Sequence, residues 1–249
     1  MEILKNFNSF SLTQLEAIPL QKRIDIKFLI PKEKLFILFE EFSKKEKAKT
    51  LEINQTRITN YKNTYFDTPD FKFYNDHHSR RLNRVKIRVR SYSTSEKSYL
   101  EEKKRSNKDK VEKLRIPFLP GEPYPFEGLR AQSKVLHLTP FLEEKIQVNY
   151  SRITLANPDF SEKATFDLNL TQTNRNQSIS YPDMVIAEVK QPKLSFQSDF
   201  LKALKALKCY PVSFSKYCSG VSMLYDNVRK NNFLPLHRYL HKNFNTIAV

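Results

Sequence analysis

The stretch RVKIRVR, residues 84–90, decides how the fold is interpreted, because it alternates cations with valine and isoleucine and so predicts a β-strand. Successive side chains of a strand point to opposite faces, so the apolar residues share one face. The other face carries four cations, Arg84, Lys86, Arg88 and Arg90. At the usual rise per residue this cationic face is about 20 Å long.

The next two predicted strands, at 97–105 and 110–118, repeat this alternation. Their outward residues are Tyr99, Glu101, Lys103, Arg105, Lys113 and Arg115. Cofacial neighbours of like charge repel each other unless a polyanion lies between them, and a bound phosphate chain would supply one. An ordinary antiparallel sheet with its polar side in water gives the same alternation and stays an alternative.

Five more strands are predicted at 23–30, 56–66, 144–155, 163–170 and 184–190, and three of them also have a charged face. Its members are Arg23, Asp25, Lys27, Lys163, Asp167, Glu188 and Lys190. The acids of all these faces are sparse, roughly one to a strand: Asp25, Glu101, Asp167 and Glu188. That arrangement suits a divalent cation held against phosphate oxygens.

The order of predicted elements indicates the fold class. Helices are predicted at 31–43, 132–138, 198–208 and 215–229, interspersed irregularly among about eight strands without a βαβ repeat. This order favours an α+β fold, an eight-stranded antiparallel β-barrel with flanking helices. No linker or internal repeat is visible, so a single domain over residues 1–249 is expected.

The composition narrows the kind of partner. The chain has 43 Lys and Arg against 27 Asp and Glu, a formal net charge of +16, which attracts polyanions. Nucleic acid, an anionic membrane surface and a phosphate-rich small substrate all fit this charge. With three glycines, Gly121, Gly128 and Gly220, the chain has no glycine-rich phosphate loop, so side chains and helix ends must hold any phosphate. Lys216 lies in the first turn of a predicted helix, so its ammonium group and the free amides of that helix end could bind phosphate together.

Compartment is inferred by elimination. Cys209 and Cys218 do not make the disulfide framework of a secreted domain, so buried, reduced thiols are expected. Residues 1–12 do not read as an export signal, and no stretch approaches the roughly 18 apolar residues of a membrane span. We therefore expect a cytoplasmic protein without a transmembrane segment.

Eight segments in order resemble the motif series of the VTC-type polyphosphate polymerase domain, a family of the triphosphate tunnel metalloenzyme superfamily. They are RIDIK (23–27), YFDTP (65–69), KIRVR (86–90), LEEK (100–103), NYSR (149–152), TFD (165–167), IAEVK (186–190) and FSKY (214–217). Together they span about residues 22–226. Eight motifs in the right order are far more specific than any one of them.

The resemblance implies an eight-stranded tunnel in which a metal-bound nucleoside triphosphate donates its γ-phosphate to a growing polyphosphate chain. Glu188 is implied as the principal ligand of Mn²⁺ or Mg²⁺, with Asp25, Glu101 and Asp167 as further candidates. The cationic side chains implied to be catalytic, by holding the phosphates, are Lys27, Arg88, Arg90, Lys103 and Lys216. The remaining phosphate-binding candidates are Arg23, Lys86, Arg105, Lys113, Arg115, Tyr150, Arg152, Lys163 and Lys190.

Two positions depart from the family pattern. Asp25 stands where many superfamily members have Glu, and Lys163 stands where the family often has Arg. The shorter carboxylate is expected to weaken a second metal position, and the lysine replaces a bidentate fork with a point charge.

Polyphosphate synthesis from ATP is therefore the leading hypothesis, with pyrophosphate and polyphosphate as further partners. Hydrolysis of a triphosphate on the same fold, and non-catalytic binding of polyphosphate or an inositol polyphosphate, stay open. Nucleic-acid binding is not expected, because it needs bases stacked on exposed aromatics and most Phe and Tyr lie on predicted core faces. A membrane-protein partner and the oligomeric state are left open.

Overall fold

The computed structural model describes residues 1–16, 23–107, 110–133, 136 and 141–248. These residues form an α+β fold with a large, mainly antiparallel sheet and several helices, which confirms the α+β part of the predicted fold class.

In chain order the strands are β1 (Ser9–Phe10), β2 (Ile24–Pro31), β3 (Lys49–Leu51), β4 (Thr59–Asp67), β5 (Arg84–Tyr92), β6 (Ser98–Arg105), β7 (Val111–Phe118), β8 (Glu143–Ala156), β9 (Lys163–Thr173), β10 (Ser178–Tyr181), β11 (Met184–Gln191) and β12 (Ile247–Ala248). The helices are α1 (Leu12–Glu16), α2 (Lys32–Lys44), α3 (Lys72–His78), α4 (Phe126–Gln132), α5 (Asp199–Ala206), α6 (Lys216–Leu224) and α7 (Leu234–Asn243). Short 3-10 helices lie at Glu2–Asn6 and Asn231–Phe233.

The eight predicted strands correspond to β2, β4 to β9 and β11, with ends displaced by at most three residues. The four short strands β1, β3, β10 and β12 are not predicted, because runs of two to four residues carry too little alternation. The helix expected at 132–138 is misplaced: α4 ends at Gln132, and residues 134, 135 and 137–140 lie outside the described residues. The helix expected at 215–229 ends early, because Tyr225 is extended.

Contacts divide the chain into two compact units, each with its own hydrophobic core. Unit 1 comprises Met1–Thr59, Tyr150–Leu170 and Tyr181–Phe214. Unit 2 comprises Asn60–Asn149, Thr171–Ser180 and Ser215–Val249. The expectation of a single domain stays a prediction.

The core of unit 1 is built on a ladder in which β11 pairs antiparallel with β2 and with β9. Helix α2 buries Leu35, Leu38, Phe39 and Phe42, which share one face at helical spacing. Phe39 packs edge-on against Phe166 of β9, with ring centroids 5.0 Å apart. The apolar faces of β2, β9 and β11 are thereby buried, which leaves their charged residues on the other face of the ladder.

The core of unit 2 lies under the antiparallel ladder β4-β5-β6-β7. Val85, Ile87 and Val89 of β5 are buried, as the alternation of residues 84–90 predicts. They cluster with Leu100 of β6 and with residues of α3 and α4. The cations of the same strands therefore lie on the opposite face.

The strand pairings do not close into a ring among the described strands. Their order runs β12-β10-β9-β8-β4-β5-β6-β7, and no pairing joins its two ends. The closed eight-stranded barrel therefore stays a prediction.

Two expectations from composition can be compared with the described residues. Cys209 and Cys218 are buried and free, as predicted, and burial raises the pKa of each thiol. None of the described helices has the length and apolar character that crossing a bilayer requires.

Gly220 of α6 lies where the helix packs closely against its neighbours in unit 2. A Cβ at this position would lie 2.7 Å from Cδ1 of Ile146 and 2.9 Å from Nε2 of Gln172, which also donates to Oγ of Ser219. Gly220→Ala is expected to lower the free energy of unfolding by about 1–3 kcal/mol through overpacking. The control is Gly128→Ala in α4, where the nearest atom is 3.4 Å away. If urea unfolding gave the two variants the same free energy of unfolding, the close packing around Gly220 would be contradicted.

Candidate phosphate-binding site

Unit 2 presents a cationic face formed by β5, β6 and β7. The strand register places Lys86 opposite Lys103, and Lys103 opposite Lys113, so three lysines form one row across three strands. Like charges directly opposite each other in a sheet are destabilising. An anion bound over this row would contact several of its members at once.

The next row of this face contains one carboxylate among arginines. Nε of Arg88 donates to Oε2 of Glu101 at 2.7 Å, and Nε of Arg115 lies 3.5 Å from Oε1. Burial acts to raise the pKa of Glu101, but Arg88, Arg90 and Arg115 outweigh it and lower the pKa. Glu101 therefore stays ionised and offsets part of the cation repulsion that the sequence pattern implies, and its oxygens are engaged by arginines.

Tyr65 of β4 ends the same row. Its ring stacks on Tyr217 of α6, with centroids 5.2 Å apart, and its hydroxyl accepts from Nη1 of Arg88 at 3.1 Å. Burial acts to raise the pKa of Tyr65, but the positive charges of Arg88, Arg90 and Lys86 lower it to about 8. The phenol thus reports the positive potential of this face.

The Tyr65 phenol should titrate near pH 8 in the folded protein, and a bound triphosphate should raise that pKa by neutralising the cations. Because the folded pKa lies below the ordinary value of 10.0, the stability it contributes is complete above pH 10 and is lost as the pH falls through about 8. The measurement is phenolate absorbance of wild type minus Tyr65→Phe, with and without inorganic triphosphate. If triphosphate left the pKa obtained from this difference titration unchanged, the assignment of Tyr65 to the phosphate-binding face would be contradicted.

Asp67 fixes the surroundings of Tyr65, a role that the sequence did not reveal. Its buried carboxylate accepts from the backbone amides of Phe73 and Tyr74, each at 2.8 Å, and from the hydroxyl of Tyr217. It accordingly ties the end of β4 to α3 and α6. Its position in the segment YFDTP was the available signal, but nothing in the spacing shows which donors it meets.

Lys216 lies at the first residue of α6, as predicted. Ser215 caps this helix, because its Oγ accepts from the amide of Cys218 at 3.3 Å. The free amides of the first turn and the helix dipole add positive potential beside the lysine.

Unit 1 carries a second charged face, on β2, β9 and β11. The register sets Glu188 between Lys27 and Thr165 in one row, and Lys190 between Asp25 and Lys163 in the next. Part of this face is covered, since Thr165, Asp167 and Lys190 are buried whereas Asp25 is exposed. Burying charged groups is costly, so the ordinary sheet with its polar side in water does not describe the covered part.

Glu188 and Lys190 form an ion pair within this face, with Nζ 3.1 Å from Oε2. Nζ of Lys190 also donates to Oγ1 of Thr165 at 3.0 Å. Burial lowers the pKa of Lys190 to about 8, against the opposing effect of Glu188. Lys190, predicted to bind phosphate, is therefore placed to orient the Glu188 carboxylate.

Arg152 and Asp167 form a bidentate pair. Nε of Arg152 lies 2.6 Å from Oδ1 and Nη2 lies 2.8 Å from Oδ2. Tyr150 lies under the guanidinium, whose carbon is 5.2 Å from the ring centre. Both oxygens of Asp167 are thus engaged, which suits it to positioning Arg152 better than to holding a metal.

The start of β2 supplies the remaining predicted residues of unit 1. Nζ of Lys27 donates to the carbonyl of Phe214 at 3.0 Å, and Nε of Arg23 donates to Oδ1 of Asp25 at 2.9 Å. Asp25 is thus one more carboxylate that already has a cationic partner.

The carboxylates of the two charged faces differ in how well they fit a divalent cation. Among the described residues, no three His, Cys, Asp or Glu side chains come together as a metal-binding group. Mg²⁺, however, is commonly held by one or two carboxylates together with substrate phosphates. Glu188 fits that mode, whereas a cage made of four protein carboxylates does not fit the described residues.

The predicted site residues are distributed between the two units. Unit 1 holds Arg23, Asp25, Lys27, Tyr150, Arg152, Lys163, Asp167, Glu188 and Lys190. Unit 2 holds Lys86, Arg88, Arg90, Glu101, Lys103, Arg105, Lys113, Arg115 and Lys216. Within each unit the strand register brings most of them onto one face, and their individual roles stay predictions.

Comparison with known proteins gives one family and several similar folds. The model of the VTC domain matches residues 22–139 and 126–225. No curated protein matches the chain. Among solved structures, the chain is similar to the putative adenylyl cyclase HpAC1 from Hippeastrum, which is described as having a dominant triphosphatase activity. That likeness has a TM-score of 0.50 and 13% sequence identity and covers 82% of this chain and 98% of the other.

Two proteins from Pyrococcus horikoshii OT3 are also similar. PH1012 has a TM-score of 0.39 and 14% identity, covering 75% of this chain and 88% of its own. PH1819 has a TM-score of 0.41 and 13% identity, covering 88% of this chain and 99% of its own.

Proposed function

The chain belongs to the VTC domain family, and from this premise we propose that it is a polyphosphate polymerase that transfers the γ-phosphoryl group of ATP to a growing polyphosphate chain. The observation that carries the proposal is the row Lys86–Lys103–Lys113, three lysines directly opposite one another on adjacent strands. A polyanion bound over this row would contact all three lysines, and a phosphate chain places charges at short, regular intervals.

Charge supports a chain substrate over a single triphosphate. The cationic face of unit 2, on β5, β6 and β7, carries several lysines and arginines against the carboxylate of Glu101, which arginines already engage. One triphosphate with its metal would leave most of this positive charge uncompensated, whereas a longer polyanion is the better electrostatic match.

The chemistry needs little covalent help from the protein. In phosphoryl transfer, positioning in line and neutralising charge on the transferred group supply most of the catalysis. Arg88, Arg90 and Lys103 would hold and neutralise phosphoryl oxygens in unit 2, with Lys216 adding charge at the start of α6. Lys27 and Arg152 would do the same in unit 1, where Asp167 fixes the fork of Arg152.

A Mg²⁺ or Mn²⁺ ion on the nucleotide would screen the phosphate oxygens as a Lewis acid. Glu188 would hold that cation, and the ion pair with Lys190 orients the carboxylate.

Hydrolysis of a triphosphate is the second candidate. The similarity to HpAC1 from Hippeastrum supports this candidate at the level of fold alone. Water and a phosphate chain would then compete for one donor. A bound chain disfavours water by placing its own terminal phosphate beside the donor.

Product analysis tests the proposal. Purified protein given ATP and Mn²⁺ should make acid-insoluble polyphosphate, seen as a ladder on a gel, and added pyrophosphate or short polyphosphate should shorten any lag. Release of one orthophosphate per ATP, with no chain longer than the primer, would contradict polymerase activity and support triphosphate hydrolysis. Binding of polyphosphate without turnover would favour a non-catalytic sensor.

A further inference from the structure

One end of the cationic face of unit 2 is aromatic. Beyond the row of Arg88 and Glu101, the register sets Arg90 opposite Tyr99, and beyond that it sets Tyr61 opposite Tyr92. All three tyrosines are partly exposed. Most aromatics were predicted to lie on core faces. These tyrosines lie on the polar face instead, so packing in the hydrophobic core does not account for them.

Arg115 of β7 lies over one ring of this cluster. Its guanidinium carbon is 3.5 Å from the centre of the Tyr99 ring, and its Nη2 donates to the hydroxyl of Tyr92 at 2.9 Å. Glu101 adds a carboxylate 3.5 Å from Nε. The guanidinium is thus held by three neighbours, yet its side chain is 47% exposed.

The tyrosines hold one another in place. Tyr92 meets Tyr61 and Tyr99 edge-on, with ring centroids 4.9 and 5.9 Å apart. The guanidinium of Arg90 lies 5.4 Å from the Tyr61 ring centre. A planar surface that is ordered before binding loses little entropy when a flat ligand stacks on it.

We propose that the Arg115–Tyr99 stack is the nucleobase subsite for ATP, an inference that rests on the proposed function. Arginine planes and aromatic rings both bind bases by stacking, and a guanidinium stacks where an ammonium cannot. The lysine row lies two rows from Tyr99, about 14 Å along the strands. A triphosphate held over the lysines and Arg88 therefore directs its nucleoside toward this stack.

This assignment differs from the phosphate-binding role that the sequence suggests for Arg115. A phosphate contact depends on charge and serves ATP and inorganic triphosphate alike. A stacking contact depends on the guanidinium plane and serves ATP alone. Arg115→Lys keeps the charge and removes the plane, so it separates the two roles.

The experiment is calorimetric titration of wild type, Arg115→Lys, Tyr99→Leu and Lys113→Gln with ATP and with inorganic triphosphate, at fixed salt and Mn²⁺. Circular dichroism confirms the fold of each variant. Arg115→Lys and Tyr99→Leu should weaken the binding of ATP about tenfold. The affinity of each variant for inorganic triphosphate should stay within about twofold of wild type. Lys113→Gln, the positive control for phosphate contact, should weaken both ligands equally.

Equal weakening of both ligands in Arg115→Lys, or none in either, would overturn the nucleobase subsite while leaving the proposed function intact. Failure of wild type to bind either ligand would overturn the proposed function and the subsite with it. If Tyr99→Leu disturbs the fold, Arg115→Lys alone decides between these outcomes.

Discussion

Glu188→Gln is expected to abolish metal-dependent turnover of ATP while the protein still folds. The amide has the size of the carboxylate but offers no charge to a hard cation. Glu188 forms an ion pair with Lys190, and that lysine is buried with a lowered pKa. Turnover should fall to the background of protein without metal, measured as ATP consumed under Mn²⁺.

The same substitution leaves buried Lys190 without its carboxylate. We expect the free energy of unfolding to fall by up to about 3 kcal/mol, because Lys190 keeps its bond to Thr165 and can lose its proton. Glu40→Gln, at an exposed ion pair of α2, is the matched control and should keep full turnover. Activity like that of wild type in Glu188→Gln would remove Glu188 from the mechanism.

Lys103→Met should weaken triphosphate and polyphosphate binding at least tenfold without loss of thermal stability. Lys103 is the middle of the lysine row, so removing its charge costs a bound polyanion a direct contact and relieves repulsion in the free protein. Methionine keeps the apolar stem. Calorimetry and a thermal melt measure the two halves of the prediction.

Lys104→Met is the matched control, since the next residue of β6 points to the opposite face. Its Nζ lies 3.7 Å from Glu112, and phosphate binding should stay within about twofold of wild type. A large fall in the melting temperature of Lys103→Met, with binding unchanged, would mark Lys103 as structural and contradict the phosphate role.

The alternation of β5 is what made the fold predictable. Val85, Ile87 and Val89 are buried and the cations between them lie on the other face, because period 2 assigns each side chain to a face before any tertiary contact exists. The family model confirms the resemblance to the VTC domain over residues 22–139 and 126–225. The α+β class, the family and the membership of the charged faces could thus be predicted from sequence.

Burial and pairing within the faces could not be predicted, because they depend on what covers each strand. Glu102 was not singled out by its charge, yet it lies in the core face of β6 and accepts a hydrogen bond from Ser133. Burial raises the pKa of Glu102. Lys190 and Asp167 likewise look like exposed phosphate or metal contacts in sequence, but each is buried against a partner of opposite charge.

Stacking on the cationic face was beyond sequence reasoning for another reason. Tyr99 and Arg115 lie on different strands, and only the register of β6 against β7, with Glu101 opposite Arg115, brings the guanidinium over the ring. Alternation gives the face of each residue but not its neighbours across the ladder.

The most direct test of polyphosphate synthesis follows the γ-phosphate of ATP itself. Protein is given γ-labelled ATP, Mn²⁺ and increasing short polyphosphate primer, and the label is divided between orthophosphate and chains longer than the primer. The account predicts that the share of label in chains rises with primer while orthophosphate falls. Label that appears only as orthophosphate at every primer concentration would contradict it.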